Sequence, residues 1–172
     1  MPYPTIYAGQ RITTALLASM QPIEVYKAGN TDRASTTTFA DDPDLTVQLE
    51  ANAVYRAQFF LHYAATNIAR FKTMWTVPSG ASGNRTAVGP DQGQVLSGTS
   101  SGGTGRWGMH NFNTACTYGT RDSSTALCSA VEEGVIFTTS AGTLAIQWAQ
   151  STADAAAARL GAGSSLSVRR LA

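Results

Sequence analysis

Apolar and polar positions alternate with a period of two through most of residues 41–77. Leu45, Val47 and Leu49 are interleaved with Thr46, Gln48 and Glu50. Tyr55, Ala57, Phe59, Leu61 and Tyr63 are interleaved with Arg56, Gln58 and His62, and Phe71, Thr73, Trp75 and Val77 with Lys72, Met74 and Thr76. Successive side chains of a strand point to opposite faces, so the pattern predicts three strands that each bury one face. Residues 50–53 and the Thr66–Asn67 pair are the polar breaks between them, and joints this short predict an antiparallel meander. Phe60 violates the alternation. A ring of that size on the nominally wet face predicts that its strand is covered on both sides, by a second sheet or by a neighbouring subunit.

On either side of this stretch the pattern changes. Residues 1–10 hold two prolines, two tyrosines and one isoleucine, a composition for an extended arm that lies on something else rather than making its own core. In residues 11–20, Ile12, Leu16 and Met20 recur at every fourth position, which predicts a short helix with one apolar face. Thr13 or Thr14 is placed to cap it and Pro22 to end it. Residues 23–26 read as a first strand, and Gly29–Asn30 as a turn. Residues 78–105 are dense in glycine and serine and predict a long surface excursion with a short strand near 94–96. Strand character resumes at 107–118, 126–139, 143–149 and 164–171, with residues 150–163 read as a loop and the last strand in the core. The expected fold is all-β: an antiparallel, jelly-roll-like β-sandwich over residues 22–172, preceded by an arm and short helix over residues 1–21.

Composition narrows the function classes. The 172 residues carry a net charge of +1 and only 13% charged side chains, about half of the ~25% usual for soluble proteins. That balance gives no electrostatic basis for nucleic acid or an anionic membrane as partner, and no apolar run approaches the ~20 residues of a membrane-spanning helix. The first residues lack the basic and apolar regions of a secretory leader, so the chain is expected to be made in a cytoplasm, with Cys116 and Cys128 reduced. Asp41, Asp42 and Asp44 lack the spacing and glycine of a calcium loop and read as turn residues around Pro43. Adjacent Glu132 and Glu133 would point to opposite faces of a strand, which excludes a facing glycosidase pair and predicts solvated or interface charges. His62 and His110 are the two imidazoles, expected on a polar strand face and at a strand end, with no motif that would recruit either as a catalytic base. The expectation is therefore a non-enzymatic chain without catalytic residues, cofactor or metal.

Three stretches carry a resemblance. Residues 12–65, with their threonine-rich turn and D-D-P-D-L; FKTMWTVPSGASG; and the closing GTLAIQWAQ with its glycine-bounded last strand resemble small virion structural proteins of tailed bacteriophages, especially those of actinobacterial hosts. The order of strands is also similar to the jelly roll of tumour-necrosis-factor-like and C1q-like domains, which commonly pack as trimers. The resemblance implies a capsid decoration (cement) protein on the outside of the head, a homotrimer whose main partner is the major capsid protein. The alternative it implies is a minor tail or fibre-tip protein binding a host glycan or receptor through residues 78–105. On this view Tyr3, Ile6, Tyr7, Arg11, Ile12, Leu16 and Met20 are the anchor candidates, and Phe60 and Tyr63 the subunit-interface candidates.

Overall fold

A computed structural model describes residues 6–18, 20–97 and 104–172. In chain order these form α1 (Thr14–Ala18), β1 (Ile23–Tyr26), β2 (Thr31–Arg33), β3 (Ala40–Leu49), β4 (Ala53–Ala65), β5 (Phe71–Thr76), β6 (Ser82–Pro90), β7 (Gly105–Arg106), β8 (Met109–His110), β9 (Cys116–Tyr118), β10 (Ser123–Thr138), β11 (Gly142–Gln150), β12 (Ala158–Leu160) and β13 (Ser165–Arg170). The strands make two sheets. The larger has nine strands along the path β1-β13-β4-β10-β6-β7, with β12 joining β2 to β4 and β8 beside β6; the smaller is β3-β11-β5-β9. Every strand pair is antiparallel. The all-β sandwich expected from the alternation is thus present.

The meander is not. β4 pairs with β10 and β13, whereas β3 and β5 both pair with β11, so the three periodic runs alternate between the two sheets. A period of two reports which side chains face the core and says nothing about which strand lies alongside. Asn52, in the break between β3 and β4, takes the left-handed conformation (φ 53°) that asparagine tolerates, and the chain crosses there from one sheet to the other.

Residues 82–90 also depart from expectation. Their glycine and polar content predicts a loop, yet they form β6, paired over seven residues with β10. An isolated bridge at Val95 stands where the short strand near 94–96 was expected. Residues 158–160, read as loop, pair as β12. The helix is shorter than residues 11–20: one turn, with the Thr13 hydroxyl accepting from the Leu16 amide (3.2 Å) in the predicted capping role.

The inward-facing residues pack as one aromatic-rich core. Phe59 meets Trp75 edge-on with centroids 4.9 Å apart, Tyr63 stacks on Phe71 at 4.7 Å, and Phe71 lies 5.4 Å from Trp148. Each large apolar side chain fully removed from water contributes roughly 1.5–3 kcal/mol. Both cysteines are free thiols buried in this core. Burial pushes the Cys116 thiol above its ordinary range, and alkylation needs the thiolate. Iodoacetamide should therefore leave Cys116 unmodified in native buffer and label it fully in denaturant, as read by peptide mass spectrometry; rapid native labelling would show that the core opens there.

Candidate interaction surface

The two outer faces of the sandwich have different chemistry. On the smaller sheet the outward phase holds Thr46 and Gln48 of β3, Lys72, Met74 and Thr76 of β5, and Thr143 and Gln147 of β11, with Ala145 and Ala149 in the same phase but covered. Their hydroxyls and amides bond to one another: Gln48 Nε2 donates to Thr143 Oγ1 at 2.8 Å and Gln147 Nε2 to Thr76 Oγ1 at 2.8 Å. This face suits water.

The larger sheet presents apolar rows instead. Register places Tyr26, Ser165, Phe60, Val131 and Val88 in one line across β1, β13, β4, β10 and β6. Further along β10, Val135 and Phe137 point the same way, and Phe60, Val135 and Phe137 all remain exposed. Tyr26 is 73% exposed at one edge of the sheet, and Trp107 is 75% exposed at the other. Between the apolar rows lies a polar one, Glu24, Ser167, Gln58, Glu133 and Thr86. Within it Ser167 Oγ donates to Glu24 at 2.6 Å, and Arg56 Nε and Gln58 Nε2 donate to Glu133 at 2.7 and 3.1 Å. The strand residues of this face hold three positive side chains, Arg56, Arg159 and Arg169, and three negative ones, Glu24, Asp32 and Glu133, so the face is electrically balanced.

Behind this face, charges absent from the outer rows sit in the core. Glu132 is fully buried on β10 and gathers partners from three other strands. It accepts from Thr73 Oγ1 and from Trp75 Nε1 (2.7 Å) on β5, from Tyr118 Oη (2.6 Å) on β9, and pairs with Arg85 of β6. Arg85, also buried, donates onward to the Thr114 carbonyl at 2.7 Å. Glu132 therefore corrects the expectation of a solvated or interface charge: it ties the two sheets together, while Glu133 alone meets the outside. Burial, reinforced by the Glu132 carboxylate, pushes the Tyr118 hydroxyl far above its ordinary range and keeps it a donor. Gly89 makes room for this ring, since a Cβ there would stand 2.9 Å from Tyr118.

A second buried charge closes the other end. Lys27 Nζ lies 3.1 Å from Asp42 and also pairs with Asp44. Asp42 accepts in addition from Trp148 Nε1 at 3.2 Å and from the amides of Asp44 and Leu45. The aspartates expected in a turn around Pro43 thus lie within β3, and the carboxylate of Asp42 is fully engaged by protein donors. Among the described residues no cluster of metal-ligating side chains is present.

Of the interface candidates, Phe60 stands on the outer face at 39% exposure, whereas Tyr63 is wholly buried and donates to the Gly119 carbonyl at 2.6 Å. Residues three apart on a strand point to opposite faces, so Tyr63 is a core residue and unavailable to a partner. Among the anchor candidates, Ile6, Tyr7, Arg11 and Ile12 are exposed, and Leu16 and Met20 are half-buried. Tyr3 lies outside the described residues. His62 occupies the outer face of β4, edge-on to Phe60 at 4.8 Å, as its phase predicts. The outward apolar residues missed from the sequence, Val131, Val135 and Phe137, share a phase with Glu133, and that outward phase was the signal that could have found them.

No known protein family matches the chain, and no curated protein is similar to it. Among solved structures it is similar to the tripod from the baseplate of bacteriophage Tuc2009, with 11% identity and a TM-score of 0.39 over 98% of this chain and 73% of that one. It is also similar to a structure of infectious bursal disease virus Gx strain (8% identity, TM-score 0.22, 87% of this chain and 39% of that one). A third likeness is to the VP2 subviral particle of infectious bursal disease virus, with 11% identity, TM-score 0.19, and 88% and 37% coverage.

Proposed function

We propose that this chain is a non-enzymatic structural protein of a bacteriophage virion, a capsid decoration protein held on the outside of the head as a homotrimer, with the major capsid protein as its other partner. The observation that carries this reading is the contrast between the outer faces: one is hydroxyl- and amide-lined, the other is a charge-balanced sheet with apolar rows. Five strands ~4.8 Å apart and some nine residues long span an area of roughly 700 Å², close to the ~800 Å² per partner of a stable interface. A second copy of the same chain fits such a face, because neither brings net charge to the contact. Three copies about one axis would present three N-terminal arms together, and Ile6, Tyr7, Ile12 and Leu17 are exposed there to meet the shell. Linked weak contacts gain by avidity. The charged side chains best shielded from water, Glu132, Arg85, Lys27 and Asp42, are spent on holding the sheets together, which also favours a structural role.

Two measurements test this. Sedimentation should give a mass three times that of the 18.1 kDa chain, reduced to one copy by Phe60→Arg or Val131→Arg with the fold retained by circular dichroism; a wild-type monomer at tens of micromolar would reject the subunit contact. Antibody label on virions should be spread over the head and disappear when residues 1–21 are deleted. Label at the tail tip would instead support the tail reading, which the exposed Trp107 at the sheet edge favours.

A further inference from the structure

Beyond Phe60, at the end of the large sheet nearest residues 121–129, the outer face deepens into a basin of about 600 Å³, within the roughly 300–1,000 Å³ range of small-molecule sites. Its lining is mixed in a particular way. Leu96 and Leu127 supply apolar wall, while His62 and Ser129 supply polar groups from adjacent strands. Arg121 and Cys128 complete the lining, the guanidinium lying beside the thiol.

Arg121 is the informative residue. Its Nε is buried and has no hydrogen-bond partner, and among the described residues the side chain forms no ion pair. Arg56, Arg85, Arg159 and Arg170 each reach a carboxylate, and Arg33 and Arg70 donate to carbonyl oxygens; the Arg121 Nε has neither. A thiol is a weak acceptor for a guanidinium, and a buried guanidinium nitrogen without a partner is costly. Among the described residues no carboxylate lines the basin. Its unmet need is therefore for an oxyanion, and the walls around it offer a hydroxyl, an imidazole and two leucine side chains.

We infer that this basin binds the oxyanion of a hydroxyl-rich ligand, an anionic sugar or sugar phosphate, with Arg121 taking the anion, Ser129 and His62 the hydroxyls, and Leu96 and Leu127 the apolar face of the ring. A carboxylate or phosphate on guanidinium forms charge-assisted, often bidentate bonds.

Titrating the full isotope-labelled chain with glucuronate, glycerol phosphate and neutral glucose, followed by NMR, tests it. Saturable shifts at residues 121–129 with glucuronate or with glycerol phosphate, but not with glucose, are expected, and whichever anion binds more tightly identifies a carboxylate or a phosphate as the natural group. Arg121→Gln should weaken that binding by at least about tenfold. Ser129→Tyr, which changes an exposed strand position and fills the basin without touching the core, should do the same, and Arg170→Gln, at the opposite end of β4 beside Tyr55, should not. Absence of shifts with both anions at millimolar concentration, equal binding of glucose, or unchanged affinity in Arg121→Gln and Ser129→Tyr would overturn the assignment.

Discussion

Replacing Glu132 by alanine is expected to cost about 3–5 kcal/mol, the usual result of leaving one member of a buried ion pair alone. The loss falls on Arg85, which is fully buried and would keep its charge with only carbonyl and thiol partners. Thr73, Trp75 and Tyr118 would lose their common acceptor at the same time. Against a total stability of ~5–15 kcal/mol, a change of this size leaves the variant unfolded or nearly so. Urea unfolding followed by circular dichroism measures it, with Glu133→Ala as the comparison. That neighbouring carboxylate stands on the outer face and pairs with an exposed arginine, so its removal should leave the midpoint almost unmoved. Equal effects of the two substitutions would mean that Glu132 is not the tie between the sheets.

Lys27→Met should be nearly as damaging, again about 3–5 kcal/mol. Methionine matches the length of the lysine side chain, so the substitution isolates the charge. It leaves Asp42 buried with the Trp148 indole and two amides but no cation. Because Asp44 is half in solvent, the penalty arises at Asp42. Urea unfolding midpoints measure the loss, and a variant that matched wild type would exclude the buried charge pair as a source of stability. The exposed Arg159–Asp32 pair is the natural contrast, for surface ion pairs contribute little.

These two sites explain which parts of the molecule could be read from residue order. The faces of β4 and β5 were legible because alternation is a local property of the strand. The partners of those strands were not, since β11, which pairs with both β3 and β5, is some seventy residues downstream of β5. Strand β6 was hidden by its glycines, whose lack of side chains erases the alternation, although Arg85 and Ala87 are both inward. Buried charge was the harder problem. Lys27 continues the phase of Ile23 and Val25, and Glu132 that of Ala130 and Ile136; in both, the phase pointed inward while the residue type pointed outward. Phase prevailed, because in each case a complementary charge and several hydrogen-bond donors meet the group. The basin escaped for another reason: it is assembled from His62, Leu96, Arg121 and Ser129, which share no local pattern.

The row that joins Tyr26, Ser165 and Phe60 also sets an order of events in synthesis. Strand β13 fills the space between β1 and β4, so until residues 165–170 have left the ribosome the outer face is a strip with an open seam and β1 has no neighbour. Pairings over such sequence separations form late and slowly, and unpaired strand edges invite wrong partners. A nascent chain cannot present the completed face to another copy. On the proposed subunit contact, association is thereby postponed until each chain has closed its own sheet, a timing device that requires no dedicated residue.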